Sequence, residues 1–218
     1  MIDLILESFP KIIGPGLLLT IPLTIVSFIL AMIIAIAVAI VMYKKVRVLK
    51  DIGRFYIWVI RGTPLLIQLY VVFFGLSQIG WLINPIACVI LVFSLNEGAY
   101  CAETVRGAME SIPKGQVEAG TALGMSYMQV MIHIVLPQAL RTAFPALTNS
   151  FLSMLKDTSL AANITVAEMF MSTQRIVART YEPLPLYIEL AFIYLMFCTV
   201  ITKLQRYVEK KMNQKYTI

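Results

Sequence analysis

The feature that most constrains this chain is a run of charge-free sequence long enough to cross a lipid bilayer. Residues 17–42 contain no Asp, Glu, Lys or Arg. As a helix rising ~1.5 Å per residue they would extend roughly 39 Å, more than the ~30 Å hydrocarbon core of a bilayer. The whole chain is 59% hydrophobic and 14% charged, whereas about a quarter of the residues of a soluble domain are charged. The sequence therefore predicts an all-α integral membrane protein.

Further apolar segments bring the number of predicted crossings to five. Residues 62–96 are also free of charge but too long for one crossing, and Gly80, Asn84 and Pro85 divide them. By length, the 218 residues form a single transmembrane domain. The predicted transmembrane helices cover about residues 17–42, 55–78, 84–106, 142–163 and 186–208.

The basic residues are unevenly distributed among the connections between these helices. The connection at residues 77–84 carries none, and the third connection holds Lys114 with Arg106 and Arg141 beside it. The first connection and the carboxyl-terminal tail are rich in them: Lys44, Lys45, Arg47, Lys50 and Arg54, then Lys203, Arg206, Lys210, Lys211 and Lys215. Because connections rich in Lys and Arg remain in the cytoplasm, we expect the amino terminus outside, the carboxyl terminus inside and residues 109–141 in the cytoplasm.

The cytoplasmic connection is predicted to contain two short helices. Pro113 is typical of a helix start, Gly124 of a helix end, and Pro137 is predicted to stop the second helix. Gly120 and Gly124 lie four residues apart, a spacing that allows another backbone to approach closely. From periodicity alone, a helix resting on the membrane surface and a segment that docks a partner remain equally open.

A motif in this connection is more specific than its periodicity. Glu118-Ala119-Gly120, then Gly124, then nine residues and Ile134-x-Leu136-Pro137 resemble the signature loop of ABC-transporter permeases, which usually have alanine at the position of Gly120. Four further segments resemble one branch of that family, the polar amino acid permeases related to histidine, glutamine, arginine and opine importers. These segments lie at residues 61–66, 98–107, 111–116 and 156–160.

The resemblance implies a permease subunit of an importer in the bacterial cytoplasmic membrane. It implies a permease dimer on two ATPase subunits, which hold ATP and Mg, supplied by an extracytoplasmic solute-binding protein. A homodimer is expected, and pairing with a similar second permease stays open. The residues expected to couple the permease to the ATPase are Glu118, Ala119, Gly120, Gly124 and Pro137. Since the sequence lacks a G-x-x-x-x-G-K-[ST] phosphate loop, this chain is expected to bind no cofactor and to be a transport subunit, not an enzyme.

Several polar side chains fall near the middle of the predicted crossings. Ionisable groups there cost roughly 2.5 to 3.5 kcal/mol each on insertion scales and normally face a cavity or a partner. The expected substrate contacts are Gln68, Asn96, Glu97, Tyr100, Lys156, Asp157, Thr158 and Ser159. These residues include two carboxylates, Glu97 and Asp157, but only one cation, Lys156. The excess of negative charge favours a basic amino acid or cystine as substrate. Glutamine or histidine remains open if Lys156 pairs with Glu97.

Two other classes of function compete with this interpretation. An ion-coupled secondary transporter or channel subunit would also have a charged layer in the membrane. An intramembrane enzyme would need a nucleophile with its base, or a metal cluster, at membrane depth. His133 is the only histidine, and the three cysteines lie in apolar segments without paired spacing, so no metal site is expected. The basic residues flank apolar runs and form no face with interleaved aromatics, which excludes nucleic acid as a partner.

Overall fold

In the computed structural model, which describes residues 2–44 and 47–214, every regular element within those ranges is a helix. The α-helices are α1 Ile2–Pro15, α2 Ile21–Lys44, α3 Arg47–Arg61, α4 Leu65–Gln78, α5 Pro85–Glu110, α6 Lys114–Ala122, α7 Tyr127–Val130, α8 Leu136–Asp157, α9 Met169–Thr180 and α10 Pro183–Gln214. Short π-helical turns at Gly16–Thr20 and Met131–Val135 join α1 to α2 and α7 to α8, and a 3-10 helix at Thr158–Ile164 follows α8. The all-α prediction is confirmed. Lys45 and Lys215, two of the charges used to predict orientation, lie outside the described residues.

Four continuous helical stretches of the described chain are long and apolar enough to cross a membrane. They are Asp3–Lys44, Pro85–Glu110, Tyr127–Ile164 and Pro183–Met212. Together, α3 and α4 would make a fifth crossing, bent by 101° at its middle. The first stretch starts well before the predicted residue 17, because an amphipathic helix, α1, continues into the apolar α2. The charges of Asp3, Glu7 and Lys11 interrupt the apolar sequence of α1, so it was not predicted as part of the crossing.

The helix predicted over residues 55–78 is not continuous in the structure. The structure ends α3 at Arg61 and begins α4 at Leu65, with Pro64 extended at φ −64° and ψ 139°. Proline has no backbone N–H and disfavours helical geometry in the residue before it. The effect of Pro64 is therefore a complete break rather than a bend within a continuous helix.

Large apolar side chains face outward on several helices. Examples are Ile29 and Ile33 on α2, Phe55 on α3, and Ile188 and Phe192 on α10. Exposed apolar surface on this scale requires lipid or a protein partner to cover it. The distribution agrees with a multi-pass membrane protein.

Small residues on one face of α2 allow close packing against α5, which positions the site described below. Every fourth residue of that face is small and buried: Ser27, Ala31, Ala35 and Ala39. On the α5 side, a Cβ at Gly98 would lie 3.0 Å from both Ile34 Cγ2 and the Tyr56 hydroxyl. Small residues at helix interfaces are the usual way membrane helices approach one another. As a result α5 is held between α2 and α3 with little freedom to rotate.

A further helix, α9, lies in the connection before α10, where the sequence analysis assigned none. Glu168 begins it by accepting a 2.8 Å hydrogen bond from the backbone N–H of Met171 to its Oε1. Tyr181, with a φ of 57°, ends it in the left-handed region. Both ends depend on side-chain and backbone geometry that apolar periodicity does not show.

Candidate functional site

Residues around the α3–α4 break, α5 and α8 enclose a cavity of about 500 Å³, called the central cavity below. Its lining consists of Thr63, Pro64, Leu65, Asn96, Glu97, Tyr100, Ala146, Asn149, Ser150, Ser153 and Asp157. Four of the predicted substrate contacts lie here: Asn96, Glu97, Tyr100 and Asp157. The structure thus brings both predicted carboxylates to one cavity.

Helical spacing explains how α5 and α8 supply this lining. Asn96, Glu97 and Tyr100 lie on one face of α5 because residues three and four apart share a face. On α8 the lining residues follow the same rule, at positions 146, 149, 150, 153 and 157. Asn149, Ser150 and Ser153 were not predicted, although their spacing from Asp157 is a detectable polar stripe on a helix.

Glu97 is held among hydrogen-bond partners despite being only 8% exposed. The Cys101 thiol, one turn further along α5, donates to its Oε1 over 3.6 Å. The Ser150 side chain reaches it as a hydrogen-bond partner from α8, and the Asp157 carboxylate interacts with it electrostatically. Among the described residues that line the central cavity there is no Lys or Arg, so the cavity favours a cationic ligand.

Gln68 does not line the central cavity but contacts a residue that does. Its Oε1 accepts a 3.0 Å hydrogen bond from Asn96 Nδ2. Its Nε2 donates to the Ile60 carbonyl over 2.8 Å and to Thr63 Oγ1 over 2.8 Å. Through these hydrogen bonds the amide of Gln68 stabilises the α3–α4 break.

The remaining predicted contacts lie elsewhere. Lys156 and Ser159 line a different cavity, of about 640 Å³, whose other walls come from α9 and α10. Thr158 is fully buried, and its hydroxyl donates to the Leu155 carbonyl over 2.7 Å. Lys156 forms no salt bridge with a described residue, so the bridge to Glu97 is not found. Adjacent positions on one helix face different directions, which is why Asp157 and Lys156 separate.

The second candidate region is the segment from α6 to α7. Helix α6 starts after Pro113 and ends at Ala122, and Gly124 follows with a φ of +78°. Ser126 and Gln129 then form a capping box that starts α7. The predicted helix start at Pro113 and the helix end near Gly124 are confirmed. The predicted stop at Pro137 is wrong: Pro137 lies in the first turn of α8, where a missing N–H is tolerated.

The surface of this segment combines polar and apolar groups. Glu118, Ala119 and Gly124 are exposed, and Leu123 is 82% exposed. Gly120 instead is buried beneath them. An outward-facing leucine beside a carboxylate, on two short helices joined by a turn, provides a surface that another protein could contact.

No metal centre accompanies either region. Within the described residues, no group of three or more His, Cys, Asp or Glu side chains could hold a metal ion. Cys88 and Cys101 are buried free thiols and Cys198 is half-buried.

Comparison with known proteins gives consistent matches over nearly the whole chain. The family described as "binding-protein-dependent transport system inner membrane component" matches residues 27–214. The chain is 42% identical to an L-cystine transport system permease protein of Bacillus subtilis over 97% of this chain and 91% of that protein. It is 35% identical to a nopaline transport system permease protein of Agrobacterium fabrum, over 97% and 92%. A solved amino acid ABC transporter with histidines superposes with a TM-score of 0.85 and 31% identity, covering 94% of this chain and 96% of that one.

Proposed function

This chain belongs to the binding-protein-dependent transport system inner membrane components, the permeases of ABC importers, and we propose that it imports an amino acid with two cationic groups. L-cystine, with its two ammonium groups, is the first candidate, and the basic amino acids are the next. The observation that carries the proposal is that Glu97 and Asp157 share one cavity whose described lining holds no Lys or Arg.

The chemistry of the central cavity supports this substrate class. Each carboxylate can accept charge-assisted hydrogen bonds from an ammonium or guanidinium group. The amide groups of Asn96 and Asn149 and the Ser153 hydroxyl can donate to a substrate carboxylate. A neutral amino acid would leave one buried carboxylate unpaired, which is costly. The route by which Lys156 would neutralise Glu97 and admit glutamine or histidine has no support in the geometry.

The α6–α7 segment is proposed to dock on a separate ATPase subunit. Glu118 supplies a charge at its surface, and Leu123 and Met128 supply exposed apolar contacts beside it. Gly120 and Gly124 act indirectly, by allowing the close packing and the tight turn that present this surface. Pro137 lies in α8, so its proposed part is to transmit movement of the segment into the helix that carries Asp157.

The assembly around the chain is likewise proposed from its family. It comprises a second copy of this permease, two ATPase subunits that hold ATP and Mg, and an extracytoplasmic solute-binding protein. Five crossings with the amino terminus outside would place the α6–α7 segment in the cytoplasm with the ATPase. The bacterial cytoplasmic membrane is the proposed location.

Reconstitution of the permease with its ATPase in nanodiscs tests the proposal. With the solute-binding protein present, L-cystine or arginine is expected to stimulate ATP hydrolysis, and glutamate is not. Uptake into proteoliposomes is expected to require ATP inside the compartment that contains the ATPase. ATP-independent uptake driven by an ion gradient would instead support the secondary-transporter alternative, and equal stimulation by glutamate would contradict the substrate class.

A further inference from the structure

A chain of hydrogen bonds connects the central cavity to the α3–α4 break. Asn96, which lines the cavity, donates to Gln68 over 3.0 Å. Gln68 in turn donates to the carbonyl of Ile60, in the last turn of α3, and to Thr63 in the break itself. Carbonyls at a helix end lack intrahelical partners, so Gln68 supplies one that fixes where α3 stops. A group that binds Asn96 is therefore two hydrogen bonds from the end of α3.

The end of α3 separates the central cavity from a second cavity of about 480 Å³, called the lower cavity. The lower cavity is lined by Met42, Lys50, Arg54, Ile57, Trp58, Glu103, Arg106 and Glu110. Trp58 of α3 belongs to the lower cavity, and Thr63, in the break just after α3, belongs to the central one. Along α5, Tyr100 belongs to the central cavity and Glu103 to the lower one. The boundary between the two cavities therefore lies near the end of α3 and, on α5, between Tyr100 and Glu103.

Arg61 lies at this level and contacts both sides. Its guanidinium carbon is 5.1 Å from the centroid of the Tyr100 ring. It also interacts electrostatically with Glu103. A cation over an aromatic ring is attracted to it but can leave at moderate cost. This combination suits a closure that forms and breaks in each transport cycle.

We propose that Arg61, resting on Tyr100, closes the central cavity on the side of the lower cavity, and that Gln68 links this closure to the occupancy of Asn96. The proposal rests on the proposed function, because the lower cavity is the cytoplasmic exit only if the α6–α7 segment is cytoplasmic. When a substrate takes the Asn96 amide, Gln68 loses a partner, and the α3 end that carries Arg61 is freed to move. Gln68 is a positioning residue in this scheme, not a substrate ligand.

Labelling of a cysteine in the central cavity tests the closure without requiring any substrate. The reporter is Ala146→Cys in a Cys198→Ser background, because Ala146 lines the central cavity and Cys88 and Cys101 are buried. The permease–ATPase complex in inside-out vesicles is treated with a membrane-impermeant maleimide from the cytoplasmic face. Arg61→Ala is expected to raise the labelling rate about tenfold, within the range that loss of one cation–π contact allows. Arg61→Lys should restore most of the protection, and Arg175→Ala, at an exposed arginine of α9 that lines neither cavity, should not change the rate.

The outcomes separate this proposal from the proposed function. If Arg61→Ala labels at the wild-type rate in a complex that elutes as a single species, Arg61 is not the closure, whatever the substrate. Added arginine should raise labelling of the Ala146→Cys protein but not of its Gln68→Leu derivative; L-cystine is left out of this assay because its disulfide would exchange with the reporter thiol. A response in Gln68→Leu equal to that of the parent would overturn the link through Gln68. If arginine and lysine both fail to act on the parent while Arg61→Ala still opens it, the closure stands and the proposal that basic amino acids are substrates fails.

Discussion

Gly120 packs directly against Ile134: a Cβ built on Gly120 would lie 2.7 Å from Ile134 Cδ1. The same Cβ would lie 3.0 Å from Cγ2 of Val130. Helix α6 is thus pressed against the helical run that leads into α8. Movement of α6 by a docked partner must displace that run, which continues to Asp157 in the central cavity.

Replacing Gly120 by leucine is expected to separate α6 from this run. Overpacking of a filled site costs typically ~1–3 kcal/mol, so the variant should unfold at lower temperature and lose most substrate-stimulated ATP hydrolysis. Alanine should be tolerated, because Ile134 Cδ1 is the far end of a flexible side chain and Val130 Cγ2 has to give by only a few tenths of an ångström. Thermal unfolding and ATPase assays of the reconstituted complex measure both effects.

Gly115 offers a matched control on the same helix. A Cβ at Gly115, the second residue of α6, meets nothing within 4 Å, so a side chain there has open space. Gly115→Ala should therefore retain stability and coupling. Wild-type coupling in Gly120→Leu would show that the tight contact does not transmit movement.

Gly124 is constrained by backbone conformation rather than by space. Its φ is +78°, and a Cβ there would meet nothing within 4 Å. A side chain in the left-handed region costs roughly 1–2 kcal/mol, less for asparagine. Gly124→Val is expected to disturb the turn and reduce transport while the protein still inserts, whereas Gly124→Asn should keep most activity. Uptake assays alongside membrane-fraction blots distinguish lost coupling from lost insertion, and equal uptake by both variants would remove the conformational explanation.

The helices were predictable where apolar length decides the structure, and less so where local geometry does. The apolar runs around α2, α5 and α10 predicted helices long enough to cross a bilayer, and the structure contains helices at all three places. The break at Pro64 falls inside one predicted helix, residues 55–78, because the sequence does not show that Gln68 completes the end of α3. Similarly, α9 depends on the cap at Glu168, and apolar periodicity carries no signal for such a cap.

The carboxylates of the candidate site were predictable from the sequence, but the full set of residues that line it was not. Glu97 and Asp157 stood out because charge is rare in an apolar chain, and the structure places both in the central cavity. Lys156 stood out for the same reason, yet it faces another cavity, because neighbouring residues of a helix point in different directions. Assigning Lys156 correctly required the rotation of α8 about its axis, which depends on packing against α5.

Asp157 should control affinity for cationic groups, and Ser159 should not. Hydrogen bonds to charged groups contribute about 1.5–3 kcal/mol, so Asp157→Asn is expected to weaken L-cystine or arginine binding by roughly ten- to a hundredfold. The Ser159 hydroxyl donates to the Lys156 carbonyl and lies in the other cavity, so Ser159→Ala should bind within about twofold of wild type. Equilibrium binding of radiolabelled substrate to the purified complex measures both, and unchanged affinity in Asp157→Asn would remove this residue from the site.

The buried carboxyl group of Glu168, at the start of α9, should make the stability of the protein depend on pH. It is 0% exposed, accepts a hydrogen bond from Met171 N–H, and accepts another from the Tyr194 hydroxyl over 3.4 Å. Burial raises the pKa of Glu168 above its usual value of 4.5, with these hydrogen bonds opposing the shift. The folded state therefore holds the proton more tightly than the unfolded state does. By linkage, the stability due to this group is fully present below pH 4.5 and is lost as the pH rises through the raised pKa.

Glu168→Gln should remove this pH dependence while keeping the bond to Met171 through its side-chain carbonyl. Its melting temperature is expected to vary less than that of the wild type between pH 4 and pH 8, since no carboxylate remains to be buried as the pH rises. Glu168→Ala should instead be destabilised at every pH by about 1 kcal/mol, the usual cost of losing a helix cap. Thermal unfolding of purified protein across this range makes the measurement, with the exposed Glu182→Gln as control. A Glu168→Gln profile parallel to that of the wild type would mean that Glu168 stays ionised in the folded protein, so its hydrogen bonds would outweigh its burial.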